Sequence, residues 1–359
     1  MPTDLRTQKL AKFVVNKALK VKPNENVIIS GGTEAEDFIL SLYKEIILSG
    51  AHPILRLGIK ETSSFFYKHA KKHQIEKFPD YFDYLVKNSQ KYIGISTEIN
   101  TKELTNSDSK KVIARDKIVF PISNYIVNSR PKMIRCSVGF PCQALAQEAE
   151  MSLVDYENFV YNSTIGVNWE KLSKKIKKIQ VKFKENSSIH LIGENVDLKF
   201  KVHGEKAKND LDFENFPAGE IFMAPLRESL NGTIKFDYPA IESGKEVTDI
   251  FLKFKDGKVI ESKASKNEDF LKEMLAADSN SCYIGEFGIG CNPKINKFTK
   301  NLLFDEKIGG TIHLALGMAY KENGGGNDSS IHWDIVKSMK KAKIIVDNKI
   351  IQENGLWKI

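Results

Sequence analysis

Cysteine is scarce in this chain, whose 359 residues contain only Cys136, Cys142, Cys282 and Cys291. The four form no CxxC pair, and they are too few for a disulfide scaffold or a cysteine-rich zinc module. We interpret them as reduced thiols that fill small buried spaces. The alternative for Cys282 and Cys291 is a role as soft metal ligands, because they flank Glu286.

Long apolar runs are also lacking. No run approaches the roughly 20 residues that cross a bilayer, and the N-terminal sequence MPTDLR carries no apolar signal-peptide core. Hydrophobic residues make up 41% of the chain and charged residues 28%, which is typical of a soluble globular protein. We therefore expect a cytoplasmic protein with no membrane partner.

The whole chain has a net charge of +8, and aromatic residues are few in its most basic stretch. That stretch, residues 171–184, reads KLSKKIKKIQVKFK and would be the candidate for a nucleic-acid interface. However, Leu172, Ile176 and Ile179 recur in it at helical spacing, and there is little to stack on bases. A solvated helix face is the preferred interpretation, and we expect no nucleic-acid partner.

The length of the chain favours two domains. In residues 1–170, predicted helices at 5–19, 37–48 and 152–161 alternate with predicted strands at 26–30, 54–59, 92–96 and 117–121. This alternation predicts an N-terminal α/β domain with a parallel sheet. Thr33 and Glu36 have the spacing of a capping box at the start of the second helix. The preceding glycine loop lacks a GxGxxG or Walker motif, which argues against nucleotide binding.

Residues 171–359 have a different predicted secondary structure, with short strands at 188–192, 196–203, 233–237, 250–255 and 258–262. The Asp256-Gly257 turn between the last two is a strong hairpin signal. A further hairpin, IIVDNKII, turns at Asp347 and Asn348. The second domain is therefore predicted to be α+β, rich in antiparallel strands and metal-binding.

The metal prediction rests on residues 285–334, which hold the phrases GEFGIG, TIHLALG and GGGNDSSIHWD. In each, the ionisable side chains lie among glycines or apolar residues, where an isolated charge costs several kcal/mol unless it is paired or bound to metal. Two acids and two histidines, Glu286, His313, His332 and Asp334, would share a divalent cation as their partner. Carboxylate and imidazole together suit zinc, cobalt, manganese or iron.

A fourth phrase, PAGEIF at residues 217–222, precedes these three. Followed in order by NGTI, GEFGIG, HLALGMAY and GGGNDSSIHWD, it resembles the thermophilic aminopeptidase family, also called the aminopeptidase T or M29 family of metallopeptidases. The first half resembles the family more loosely, through GGTEAE, SGAHP and GFPCQALAQEAEMSLVDYENFVY. The resemblance implies a homodimer that releases the N-terminal amino acid from peptides with a free N-terminus, using two adjacent divalent ions per chain.

Carried over motif by motif, the resemblance assigns the metal ligands to Glu220, Glu286, His313, His332 and Asp334. It also assigns catalytic roles to Tyr320, which ends HLALGMAY, and to Glu286. The chain departs from better-known members in having GIGCNP after Glu286 and in the lengths of the loops before His313 and His332. These departures leave the ligand types in place and affect the substrate pocket.

The chemistry of peptide hydrolysis accounts for such a ligand set. A peptide amide is a poor electrophile with a poor leaving group. Two metal ions about 3.5–4 Å apart, zinc, cobalt or manganese, can assist by activating water and polarising the carbonyl. Glu286 is expected to bridge, with Glu220 and His313 on one ion and the HWD pair on the other. His332 and Asp334 are two apart, so in a strand both point to one side.

Two further residues have less definite roles. The Tyr320 phenol is expected to donate to the developing oxyanion, and a core tyrosine is the alternative. Glu306 is either a further ligand, a general base or a surface acid. Rival functions are a related two-metal dipeptidase or amidohydrolase and a basic nucleic-acid-binding protein, whose binding would be salt-sensitive and survive chelation.

Overall fold

The computed structural model describes residues 4–242 and 244–358. The chain divides into two compact units. The first comprises the residues up to Gly166 together with Asp212–Pro217, and the second comprises Val167–Leu211 and the residues from Ala218 onward. The short segment Asp212–Pro217 thus returns to the first unit. The domain boundary at residue 170 itself stays a prediction.

The α-helices follow in chain order. They are α1 (Leu5–Phe13), α2 (Glu36–Leu48), α3 (Thr62–His69), α4 (Lys72–Ile75), α5 (Asp80–Lys87), α6 (Ser109–Asn128), α7 (Gln143–Glu148), α8 (Leu153–Ser163), α9 (Trp169–Gln180), α10 (Glu268–Leu275) and α11 (Leu302–Asp305). A π-helical turn, Val14–Ala18, continues α1, and short 3₁₀ turns occur at Thr33–Ala35, Gly204–Lys206 and Lys321–Asn323.

The strands are given in the same way. They are β1 (Asn26–Gly32), β2 (His52–Gly58), β3 (Lys91–Ser96), β4 (Ile134–Gly139), β5 (Glu185–Gly193), β6 (Val196–His203), β7 (Lys208–Asn209), β8 (Asn215–Phe216), β9 (Glu220–Met223), β10 (Asn231–Lys235), β11 (Ala240–Glu242), β12 (Lys245–Val247), β13 (Phe251–Lys255), β14 (Lys258–Lys263), β15 (Ile284–Gly290), β16 (Thr311–Gly317), β17 (His332–Ser338), β18 (Ala342–Val346), β19 (Lys349–Glu353) and β20 (Leu356–Trp357).

The first unit is an α/β unit built on a parallel sheet in the order β2-β1-β3-β4-β8. Helices connect the successive strands from β1 to β4, as parallel pairing requires. The predicted parallel-sheet class is confirmed. No helix in residues 4–242 or 244–358 combines the length and hydropathy needed to cross a membrane.

The second unit is antiparallel, which confirms the predicted class. An eight-stranded sheet runs β14-β13-β10-β6-β5-β18-β19-β20, and a five-stranded sheet runs β17-β16-β15-β9-β7. The rings of Phe200 on β6 and Phe287 on β15 meet edge to face at 5.1 Å, so the apolar sides of the two sheets share one core. Helix α9 buries Leu172, Ile176 and Ile179 and exposes its lysines, as predicted.

Two local predictions are wrong. Residues 117–121 lie inside the helix α6, not in a strand. Its less exposed residues, at 111–112, 114–115, 118–119, 122 and 125–126, recur at the helical period. The five residues KIVFP at 117–121 are too few to reveal that period. The capping box does not form, because Thr33 lies in a 3₁₀ turn and its hydroxyl donates to Glu34 while Ala35 occupies the N-cap.

Candidate metal centre

Four neighbouring strands of the five-stranded sheet carry the predicted ligands. Glu220 begins β9, Glu286 lies in β15, His313 in β16, and the last two residues, His332 and Asp334, in β17. Most residues of these strands are buried or partly buried, so both faces of the sheet are covered. Polar side chains that point from such a sheet need partners within the site.

The strand register brings the ligands onto one face. Glu286 pairs with Ala315, which also pairs with Asp334, so these three side chains form one row across the sheet. His313 lies two residues before Ala315 in β16 and shares that face. Directly opposed residues of antiparallel strands point to the same side. The sequence pattern and the pairing therefore converge on one polar face.

Glu220 and His332 extend this face at its two ends. Glu220 pairs with Gly290, which lies four residues after Glu286 and thus on the same side of β15. His332 pairs with Gly317 and lies two residues before Asp334. The structure thus brings together all five predicted ligands, although the first and the last of them lie more than 100 residues apart along the chain.

Distances between the donor atoms are short. His313 Nε2 lies 3.6 Å from Glu220 Oε2 and 3.5 Å from Glu286 Oε1. His332 Nε2 lies 3.3 Å from Asp334 Oδ2. Two ligands placed about 2.0–2.2 Å from one ion at near-tetrahedral angles are separated by roughly 3.4 Å. Donor atoms of Glu286, His313 and Asp334 also lie within 4.8 Å of one another.

Several of these donor atoms are buried without a hydrogen bond. Among the described residues, Glu220 Oε2, Asp334 Oδ1 and both ring nitrogens of His313 have no hydrogen-bond partner. Buried polar groups in native proteins are nearly always satisfied, so such a cluster calls for an explanation. A divalent ion would accept these lone pairs, and the residues present therefore fit a metal.

A glycine makes room for the His313 ring. Gly288 pairs directly with His313, and a Cβ built on Gly288 would lie 1.9 Å from His313 Nε2. Any side chain at this position would displace the imidazole. Glycine is thus needed at position 288 because the His313 ring occupies the space of a side chain, and not because of the backbone conformation.

The electrostatics of the centre favour cations. Burial alone would lower the pKa of His313, but the carboxylates of Glu286, Asp334 and Glu220 outweigh it and raise that pKa to about 9. Burial likewise opposes protonation of His332, yet Asp334 and Glu286 raise its pKa to about 10. A field that holds a proton this firmly also attracts a metal ion, with which the proton competes.

His332 is oriented by a second contact. Its Nδ1 lies 2.9 Å from the backbone carbonyl of Met318, to which the ring N–H donates. This bond leaves the Nε2 lone pair directed toward the Asp334 side of the ring. Metal-binding histidines usually have their other ring nitrogen fixed in this way.

The chain just before His332 is anchored by Asp278. Its carboxylate accepts hydrogen bonds from the Ser329 hydroxyl, the Ser330 hydroxyl and the Ser330 backbone N–H, at 2.7–2.9 Å. These bonds hold the pKa of Asp278 well below its usual range. Asn327 adds bonds from its amide to the carbonyls of Gly317 and Asn280. The chain that follows the three glycines is therefore fixed in place.

Tyr320 and Glu306 lie near these residues. The Tyr320 ring centroid is 5.1 Å from that of His332, and the side chain is partly exposed. It follows β16 in a loop, not on a helix. Glu306 is not a freely solvated surface acid, because its Oε2 contacts Lys307 Nζ and burial and nearby carboxylates raise its pKa to about 7.

Sequence reasoning missed two charged residues of this cluster. Lys307 is fully buried, and Asp210 is only 6% exposed. Burial would lower the pKa of Lys307, but the carboxylates of Glu220, Glu306 and Asp210 raise it well above its usual value. The one sequence signal was a lysine beside an acid just ahead of the apolar run that contains His313. Asp210 lies in the acidic stretch NDLDFEN, where nothing singles it out.

Comparison with known proteins agrees with this architecture. A family model described as thermophilic metalloprotease (M29) matches residues 3–357. Aminopeptidase AmpS of Bacillus subtilis (strain 168) is 23% identical over 373 aligned positions, covering 93% of this chain and 90% of its own length. Aminopeptidase T of Thermus aquaticus is 33% identical over 138 residues, or 33% of each chain.

A solved structure shows the same fold. Wild-type AmpT from Thermus thermophilus superposes with a TM-score of 0.87 at 20% identity, covering 100% of both chains. At that identity the structural likeness establishes the fold alone, while the family model spans nearly every residue. The chain therefore belongs to the thermophilic metalloprotease (M29) family, and it is a metal-dependent hydrolase of peptide bonds.

Proposed function

We propose that this protein is an aminopeptidase that removes the N-terminal amino acid from peptides with the help of two divalent metal ions. The observation that carries the proposal is the single sheet face on which five candidate ligands meet, with buried donor atoms that lack hydrogen-bond partners. The names of AmpS and aminopeptidase T support the choice of reaction.

The charge of the cluster supports two ions. Five carboxylates lie in it together with one ammonium, that of Lys307. When all five acids are ionised and both histidines are neutral, four negative charges are left; the acids are Asp210, Glu220, Glu286, Glu306 and Asp334. Buried charge is costly unless it is compensated. Two divalent cations, zinc, cobalt or manganese, carry the four positive charges that balance it.

The ligand roles follow from position. Glu286 lies at one end of the row that ends at Asp334, and its Oε1 is 3.5 Å from His313 Nε2. Because its carboxylate offers two oxygens and donor atoms of all three residues lie within 4.8 Å of one another, we assign it as the residue that would bridge two ions. Glu220 and His313 would hold one ion, and His332 with Asp334 the other, in keeping with their donor distances. Ions bound here would polarise the scissile carbonyl and lower the pKa of the attacking water.

The remaining residues orient and stabilise. Tyr320 is assigned to donate its phenolic hydrogen to the oxygen on which negative charge develops, and its ring lies beside His332. Met318 holds His332 through Nδ1 and so keeps its Nε2 free for a ligand. Glu306 lies beside Lys307 and is available as a further ligand or as a base.

The test is hydrolysis of a panel of aminoacyl p-nitroanilides by the purified protein, with the N-acetylated form of each as control. We expect the free-amine substrates to be cleaved, the acetylated ones to resist, and chelation to stop the reaction. Cleavage of dipeptides alone, with no cleavage of longer peptides, would favour the dipeptidase alternative. No hydrolysis after supply of zinc, cobalt and manganese would refute the proposal.

We also propose a homodimer. This proposal rests on the family alone, and light scattering at micromolar concentration tests it, with a monomer only as the contrary result.

A further inference from the structure

Lys307 is a buried cation inside the cluster of acids. Its side chain is 0% exposed, and its Nζ lies 2.9 Å from Glu220 Oε1 and 2.9 Å from Glu306 Oε2. Its backbone is fixed as well, since its carbonyl accepts from Asn292 N–H and its own N–H donates to Phe304. The ammonium is therefore held at one position between two carboxylates.

The contact with Glu220 distinguishes the two oxygens of that carboxylate. Oε1 binds Lys307, whereas Oε2 has no hydrogen-bond partner in the described part of the chain and lies 3.6 Å from His313 Nε2. One oxygen thus faces the ammonium and the other faces the imidazole. Glu306 Oε2 likewise accepts a hydrogen bond from Lys307 Nζ.

Asp210 fixes the backbone at the same place. Its carboxylate accepts hydrogen bonds from the backbone N–H groups of Gly219 and Glu220 at 2.8–3.0 Å. Glu220 is thus held at its backbone by an acid and at its side chain by a lysine. Such double restraint leaves its carboxylate little freedom to rotate.

We propose that Lys307 is a positioning residue of the metal centre, whose ammonium binds one oxygen of Glu220 and one of Glu306 so that each carboxylate offers only its other oxygen to a metal. This inference rests on the proposed function. It differs from a plain stabilising ion pair in one respect, because removal of the ammonium must change how the metal is coordinated.

A second buried lysine provides a matched control. Lys337 is 1% exposed, its Nζ lies 3.2 Å from Asp237 Oδ2, and it donates to the carbonyl of Lys235. It lies in β17 three residues after Asp334, and therefore on the opposite side of the strand. Lys337→Met removes a buried lysine and its ion pair without touching the proposed ligands.

The experiment compares Lys307→Met and Lys337→Met with the parent protein loaded with Co²⁺. The readouts are the visible absorption spectrum, Co²⁺ affinity from competition with a chelator, and the Tm of the metal-free protein. We expect both variants to lower Tm. Only Lys307→Met should weaken the visible absorption, because freed carboxylate oxygens raise the coordination number of the metal. Only this variant should also bind Co²⁺ about 10–100-fold more weakly, because its ligands are no longer held in position.

Lys307→Gln covers the case in which Lys307→Met fails to fold, since the amide keeps one donor near the carboxylates. It should change the spectrum in the same direction and to a smaller extent. A parent-like spectrum and affinity in either folded Lys307 variant overturns the inference while the proposed function stands. If the parent binds none of Co²⁺, Zn²⁺ and Mn²⁺, both are overturned.

Discussion

Replacement of Gly288 by alanine tests the packing of the metal centre with the smallest possible change. The new Cβ would lie 1.9 Å from His313 Nε2, whereas ordinary contact begins at 3.4 Å, so the imidazole must move by about 1.5 Å. The strand pairing offers no relief, because Gly288 and His313 are directly opposed in β15 and β16.

The two effects of the substitution differ in size. Alanine in place of glycine at an unstrained position reduces the entropy of the unfolded chain and stabilises by about 0.4–1 kcal/mol. Overpacking costs about 1–3 kcal/mol, so the net loss of stability is modest, between about 0 and 2.6 kcal/mol. Metal ligation tolerates errors of only about 0.2 Å, and a misplacement of about 1 Å costs roughly 10²-fold in rate.

Gly288→Ala should therefore fold, with metal affinity reduced at least tenfold and kcat reduced about 10²-fold. The assays are circular dichroism, competition with a chelator and hydrolysis of leucine p-nitroanilide. Gly326→Ala is the matched control, because a Cβ there meets nothing within 4 Å. If Gly288→Ala binds metal and turns over within about threefold of Gly326→Ala, the placement of His313 is wrong.

Three other substitutions or treatments follow from the structure. Glu286→Gln should abolish turnover, because an amide cannot supply two anionic oxygens, and near-normal hydrolysis by the folded variant would refute the bridge. Tyr320→Phe should lower kcat about 10²–10³-fold with metal content unchanged, and a few-fold effect measured with aminoacyl anilides would leave only a packing role. Iodoacetamide at pH 8 should leave Cys136 unmodified in the native protein, since burial raises its pKa to about 12; rapid alkylation seen by mass spectrometry would contradict its burial.

Much of the fold could be predicted where the local pattern and the tertiary fold agree. The strand at 196–203 alternates buried and exposed residues, and its predicted bounds match β6. The Asp256-Gly257 hairpin also forms as expected, between β13 and β14. Prediction failed at 117–121, where a short apolar run has the composition of a strand but packs as part of a long helix.

The candidate site divides in the same way. The predicted ligands lie in short phrases in which acids and histidines are surrounded by glycine and apolar residues, so their burial could be inferred from neighbours in the sequence. Lys307 and Asp210 could not be found this way, because their roles depend on distances across the sheet to Glu220 and Glu306. Such contacts between residues on different strands cannot be predicted from the spacing of residues along the chain.

The most direct test of the account is the metal content that supports full activity. Chelator-stripped protein is titrated with zinc, cobalt or manganese while hydrolysis of an aminoacyl p-nitroanilide is followed, and bound metal is measured by elemental analysis. Activity should reach its plateau at about two ions per chain. Only trace metal after reconstitution with all three ions would contradict it.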